Sequence, residues 1–244
     1  MQEILYYLAA LIAEIAGTIA GFGSSTIFLP LSLFFMPFQS ALIMVAIFHV
    51  FGNIGRISFF RKGVEWKLIL RFGIPALILT VIGALLASYA STLWLLLGLG
   101  AFLLVFSILS LTLKEFRLKP NNATLTIGGI LSGLFAGLLG TGGAPRAASL
   151  SAYNLEKEKY IATNAMIALG VDITRIIVYL NAGFLTQEYY NAIIPLFIVA
   201  IIGAYIGKRI VDHIPQSAFR TIVLTALLLI GIKFIVDSLG MILG

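Results

Sequence analysis

The sequence predicts an all-α polytopic membrane protein made of two inverted-topology repeats. Three observations carry the prediction. The chain of 244 residues is 60% hydrophobic and 11% charged, with a mean hydropathy of +1.07. Soluble domains carry about 25% charge, and a chain this apolar could not cover its own surface in water. Second, Ile74, Pro75, Ile78, Ile82, Gly83 and Ala84 recur at a constant offset as Ile194, Pro195, Ile198, Ile202, Gly203 and Ala204. With an offset one residue smaller, Gly21, Gly23, Ala46, Ile54, Arg56 and Ile57 match Gly140, Gly142, Ala165, Ile173, Arg175 and Ile176. The change of offset falls near Gly63 and Gly183, in a turn where an insertion is cheap.

Third, equivalent loops differ in charge. Arg61, Lys62, Lys67 and Arg71 follow the third apolar segment, whereas the matching 181–188 loop has no Lys or Arg. The bare 38–40 turn matches the loop carrying Lys157 and Lys159, and the bare 90–92 turn matches the one carrying Lys208 and Arg209. By the positive-inside rule the halves face opposite ways, so each crosses an odd number of times and both termini lie outside the cytoplasm.

The first repeat, 1–113, reads as segments 4–22, 24–38, 40–60, 67–90 and 92–113. Segment 4–22 closes at the glycines of the first tip, and no Lys or Arg precedes it, so it lacks the basic region of a signal peptide. Segment 24–38 is too short to span at ~1.5 Å per residue. It is either a thin crossing or the return limb of a re-entrant hairpin, and the hairpin is the preferred reading. Segments 40–60, 67–90 and 92–113 are long enough for full crossings of ~20 residues. The polar stretch 114–124, with Lys114, Arg117 and Lys119, reads as a cytoplasmic linker. The second repeat, 125–244, repeats the plan with 125–140, a short 143–153, then 160–180, 189–207 and 217–239.

Several classes are excluded. Uniformly apolar runs are not the alternating strands of a porin barrel. With no cysteine there is no disulfide, thiolate metal site or thiol catalysis. No nucleotide-binding G-x-x-x-x-G-K-[ST], zinc-type H-E-x-x-H or G-x-S-x-G segment is present, and the only histidines are His49 and His213. The reading is therefore of a non-enzyme without metal or other cofactor. Its net charge of +6 belongs to cytoplasmic loops rather than to nucleic-acid binding. The expected partners are the lipid bilayer of the cytoplasmic membrane, a small inorganic or organic anion, and in one reading a second copy of the chain as a homodimer.

Each half breaks its first apolar stretch at a glycine-rich tip: Gly21, Phe22, Gly23, Ser24 and Ser25 in one, Gly140, Thr141, Gly142, Gly143, Ala144, Pro145 and Arg146 in the other. Glycine costs ~1 kcal/mol against alanine inside a helix, so these are breaks, and in lipid a broken helix survives only where protein or a cavity surrounds it. The free N–H groups of the helix that follows form an anion site, with Ser24, Ser25, Thr26 and Thr141 adding hydroxyls. The alternative is tight helix packing, the better reading for the Gly17/Gly21, Gly133/Gly137 and Gly203/Gly207 pairs. Pro145 and Arg146, which have no packing role in sequence terms, favour a substrate role. Leucine at Gly23 or Gly142 would then block binding, while leucine at Gly100, read as a surface position, would not.

These features resemble the sulfite exporter TauE/SafE family, also called the toluene-sulfonate uptake permease family, over the whole chain. The family pattern is roughly G-x-G-G-G before an apolar run with a proline. Gly140, Gly142 and Gly143 match it, with Ala144 in place of the last glycine. Gly21 and Gly23 match, with Ser24 and Ser25 in place of the later glycines and Pro30 as the proline. The resemblance implies transport of sulfite, organosulfonates or related anions, commonly outward.

Ionisable residues inside spans cost ~2.5 kcal/mol or more unless paired or wet. Arg56 and Arg175 are repeat equivalents, as are Asn53 and Asp172, each three residues before its arginine. With Arg146 they would make a positive cavity in which a guanidinium grips an oxyanion with two hydrogen bonds, supported by the polar Asn53 and Asn164. Alternatives stand beside each. Arg56 could snorkel to the cytoplasmic face, Arg175 could be neutralised by Asp172, and His49 could bond a backbone carbonyl. Glu14, His49 and Asp172 are candidates for proton or ion coupling, although Glu14 could equally be a protonated packing residue. Lys233 and Asp237 read as a surface pair. The leading expectation is a secondary anion transporter working by alternating access; a passive anion channel and an intramembrane enzyme are the alternatives.

Overall fold

The computed structural model describes residues 2–21, 23–60, 63–113, 118–210 and 216–243. Phe22, Arg61, Lys62, Lys114, Arg117 and His213 lie outside these. The first half folds as α1 (Gln2–Ala20), α2 (Ser25–Ser32), α3 (Phe38–Phe59), α4 (Trp66–Tyr89) and α5 (Thr92–Thr112). The second repeats the order as α6 (Asn122–Leu139), α7 (Gly143–Ser151), α8 (Lys157–Asn181), α9 (Ile193–Ile210) and α10 (Gln216–Leu243), with a 3-10 turn Gln187–Ala192 before α9. Among the described residues, eight helical segments are long and apolar enough to cross a membrane. The exceptions are α2 and α7, of eight and nine residues.

Glycines end α1 and α6. Gly21 has φ +79° and Gly140 φ +72°, the left-handed region that L side chains resist. Behind each turn the short helix folds back on the long one. Tyr6 of α1 packs on Phe28 of α2 at 5.3 Å, and Ser132 of α6 donates to the Gly142 carbonyl at 2.7 Å. Pro145 sits in the first turn of α7, where no intrahelical N–H is needed. The residue thus has a helix-starting role that the sequence reading did not give it.

Packing partners come in matched pairs. α4 lies on α6 and α8, as α9 lies on α1 and α3, while α3 meets α8, α5 meets α10 and α2 meets α7. The paired glycines serve these contacts. A Cβ on Gly133 or Gly137 would come within 2.1 or 2.2 Å of the Ala76 or Thr80 carbonyl oxygen of α4, and one on Gly203 or Gly207 within 2.8 Å of Glu14 or Thr18 of α1. Close backbone approach substitutes here for the hydrophobic drive that lipid removes. Gly100, expected at the surface, is instead buried against α10, where a Cβ would lie 3.0 Å from the Gly231 carbonyl oxygen.

Loop contacts sort the molecule into two ends. At one, Ser40 donates to the Phe184 carbonyl at 3.3 Å and Gln39 to Thr92 at 3.3 Å, joining loops without Lys or Arg. At the other, Lys159 pairs with Glu65 at 2.7 Å, Lys208 donates to the Phe59 carbonyl, and Arg71 donates to Asn122. Helices α3 and α8 run antiparallel between these ends: Ser40 lies by Phe184, His49 by Asp172, and Phe60 packs on Ile161 and Ala162. Outward faces carry large apolar side chains such as Ile74, Ile78 and Leu229, at 56%, 56% and 63% exposure, a surface suited to lipid. Lys233 and Asp237 pair one turn apart on the exposed face of α10.

Candidate functional site

The two tips meet at the centre of the molecule. Thr26 and Thr141, one from each, share a hydrogen bond of 2.7 Å. Ser25 and Gly143 open α2 and α7, both buried, and neither helix has a side-chain cap at its start. Around the tips α1, α3, α7 and α8 contribute a buried charged cluster.

In that cluster Asp172 is the hub. Its Oδ2 accepts from His49 Nδ1 at 2.7 Å and Asn53 Nδ2 at 3.0 Å, and its Oδ1 accepts from Arg175 Nε at 3.0 Å. Arg175 also donates from Nη1 to the Gly140 carbonyl at 2.8 Å. It thereby places a cation on the carbonyl end of α6, where dipole and unsatisfied acceptors both favour it. Arg56 is buried and paired in the interior instead of snorkelling outward. It donates from Nε to Thr18 at 3.1 Å, from Nη1 to Asn53 Oδ1 at 2.9 Å and from Nη2 to Ser24 at 3.3 Å. Its Nη2 also lies 2.6 Å from Glu14 Oε1, an ion pair without an aligned hydrogen bond at the carboxylate. Glu14 fits only because Gly52 and Gly203 lack side chains; a Cβ there would fall 2.4 and 2.8 Å from it.

Arg146 differs from the other two arginines. It is 3% exposed, and its Nε donates to Asn164 at 2.6 Å. Neither terminal nitrogen has a hydrogen-bond partner among the described residues. Nη2 would lie 3.5 Å from a Cβ on Gly23, and His49 Nε2 lies at the same distance from that point. His49 is 2% exposed and its Nε2 also lacks a partner. Two polar groups therefore border one gap, about the size of the side-chain carbon that Gly23, at φ +92°, lacks. An orphaned buried group such as His49 Nε2 costs roughly 1–3 kcal/mol, which makes it a mark of a site.

The structure thus divides the residues read from sequence. Gly23, Arg146 and His49 border the gap, and Asn164 holds Arg146. Arg175, Asp172, Asn53, Arg56 and Glu14 form ion pairs and hydrogen bonds with one another, and Ser24 accepts from Arg56. Gly142 is occupied with packing, since its Cβ would meet the Ser132 carbonyl oxygen at 2.1 Å, while Gly21 has nothing within 4 Å. Sequence reasoning missed Thr18, one turn after Glu14 on the same face, and the room made by Gly52 and Gly203. The i, i+4 spacing of Glu14 and Thr18 was the available signal.

A cavity of about 1400 Å³ runs between α5 and α6 and reaches the tips at Gly21, Ala144 and Pro145. Phe102, Leu131 and Phe135 line its apolar length, with Lys157 and Arg220 at the basic end.

A lipid-facing helical shell around a buried, charged centre, with two broken helices meeting in it, defines a polytopic membrane transporter. The chain belongs to the sulfite exporter TauE/SafE family, whose model matches residues 6–234. Members of that family are transporters rather than enzymes, which disposes of the intramembrane-enzyme alternative. No curated protein and no solved structure matches the chain.

Proposed function

We propose that this protein is a secondary transporter that carries sulfite, an organosulfonate or a related sulfur oxyanion across the cytoplasmic membrane, in the outward direction, by alternating access. The observation that carries the reading is the gap at Gly23, bordered by Arg146 Nη2, which has no hydrogen-bond partner among the described residues, and by His49 Nε2. A guanidinium presents a fork of donors matched to two oxygens of one oxyanion. The N–H groups opening α2 and α7 add donors from the backbone, with Thr141, Ser25 and Gly143 beside them. Arg56 and Arg175 act on the anion through the frame, each being tied to a carboxylate. The groove between α5 and α6 is the route from the basic end, with Lys157 and Arg220 drawing anions toward it. Flux in proteoliposomes tests this: uptake of sulfite should saturate and rise with an imposed ion gradient. Linear flux indifferent to the gradient would make the protein a channel.

The same proposal includes inverted repeats, 1–113 and 125–244, joined by a cytoplasmic linker at 114–124, with both termini extracytoplasmic. The matched packing pairs, the antiparallel course of α3 and α8, and the gathering of basic loops at one end support it. Cysteines placed at Lys67 and at Asn181, both exposed, should react with an impermeant thiol reagent from opposite faces of the membrane. Labelling of both from one face would end the inverted-repeat reading.

A further inference from the structure

Asp172 dictates which nitrogen of His49 carries hydrogen. A carboxylate only accepts, so His49 Nδ1, 2.7 Å away, must donate. The 3.4 Å approach of Asn53 Nδ2 to the same nitrogen is donor to donor. That amide donates instead to Asp172 at 3.0 Å, an orientation set by Arg56 donating to Asn53 Oδ1. With Nδ1–H committed, a neutral His49 turns a bare lone pair at Nε2 toward the gap beside Gly23. A lone pair repels an anion's oxygen. The two can meet only with a proton between them.

Charge counting is compatible with that answer. The charged groups around His49 are Asp172 and Arg175 of α8, Arg146 of α7, Glu14 of α1 and Arg56 of its own helix. Helices α2 and α5 contain no ionisable residue, and Lys208 of α9 lies away at the Phe59 carbonyl. Glu14 balances Arg56 and Asp172 balances Arg175. Arg146 is left as one positive charge, which a bound species of net charge minus one would neutralise. A dianion would leave the buried centre negative unless a proton entered with it.

Resting on the anion-site reading above, we infer that the site binds an oxyanion together with one proton, held between His49 Nε2 and an anion oxygen. The substrate class is then a doubly charged oxyanion or its hydrogen-anion form, in preference to a monoanionic sulfonate, and each transported anion carries a proton with it. No bond to the central atom forms or breaks. The proton arrives from solution with the dianion, or already on the hydrogen anion, and leaves with it on release.

Calorimetric titration of the purified full-length chain with sulfate and with sulfite, in two mildly alkaline buffers of unlike ionisation enthalpy, counts protons taken up per anion bound. Sulfate holds no proton of its own near neutral pH, so a proton taken up with it lands on the protein. For whichever of the two anions binds, close to one proton per anion is expected in the wild type, and less than half of that in His49→Gln. Methanesulfonate, with no proton to share, should bind about tenfold or more weakly than the tighter of the two, the equivalent of one lost hydrogen bond. Arg146-dependent binding without proton uptake, uptake unchanged in His49→Gln, or methanesulfonate binding as tightly would each overturn the inference and leave the anion site standing. If His49→Gln does not fold, the wild-type proton count and the methanesulfonate comparison still decide it. Binding of neither anion, or binding indifferent to Arg146→Ala, would overturn the anion site itself, and the inference with it.

Discussion

Replacing Arg146 with alanine should abolish anion transport and leave the folded protein about as stable as wild type. The first half follows from chemistry at the gap. The two terminal nitrogens have no partner among the described residues, so an oxyanion would take both, at about 1.5–3 kcal/mol per charge-assisted hydrogen bond. Losing them weakens binding roughly a hundredfold or more. The second half follows from burial. A cation with no carboxylate in ion-pair contact sits in the interior at a desolvation cost that the nearby charge of Asp172 offsets only in part, so its removal relieves the apo fold. Asn164 loses one hydrogen bond, a smaller effect of opposite sign. Arg146→Lys keeps the charge without the planar fork and should fall between wild type and alanine. Flux in proteoliposomes and thermal melting in detergent are the two measurements. Normal flux in Arg146→Ala would remove the residue from the site, and a large fall in melting temperature would make it a structural residue.

Much of this was legible in the chain, and the illegible parts share one cause. Because a membrane helix is specified by its own sequence, the segments emerge within about four residues of where apolar runs and turn residues put them, except that α2 stops at Ser32, short of the expected 38. Both tips were legible because glycine at positive φ is a local requirement, met at Gly21, Gly23 and Gly140. What could not be read is which charges meet. Glu14 was left between proton carrier and packing residue, and only the packing of α1 against α3 and α9 brings it to Arg56. All three arginines were candidate anion ligands, with Arg146 favoured at its tip, Arg175 open to neutralisation by Asp172 and Arg56 to snorkelling. Arg56 pairs with Glu14 across helices and Arg175 with Asp172 on its own helix. That leaves Arg146 as the one of the three whose terminal nitrogens have no hydrogen-bond partner among the described residues. Gly100 misled for a related reason: α5 is apolar on every side, so no periodicity separates its lipid face from its α10 face.

The opposite outcome is expected at Asp172. Asp172→Ala should cost about 3–5 kcal/mol, the penalty for stranding the partner of a buried ion pair, and against the ~5–15 kcal/mol of a typical native protein that should sharply lower the yield of folded chain. Three groups lose their acceptor at once: Arg175, His49 and Asn53. Arg175 keeps only backbone carbonyls of α6, which satisfy donors but do not neutralise a cation. The cause can be isolated with a second change. In Asp172→Leu combined with Arg175→Met the stranded charge is gone, and replacing a buried pair by apolar side chains is often close to neutral. The double variant should therefore melt well above Asp172→Ala, though below wild type, because the carbonyl end of α6 loses its donor and His49 Nδ1 and Asn53 Nδ2 stay without an acceptor. Melting of the two variants at the same temperature would locate the loss in those hydrogen bonds rather than in the unpaired charge. Read beside Arg146→Ala, the comparison separates two buried arginines by what faces them: removing the carboxylate of one should sharply destabilise the fold, while removing the other, bonded to Asn164 but to no carboxylate, should take away the proposed anion contact.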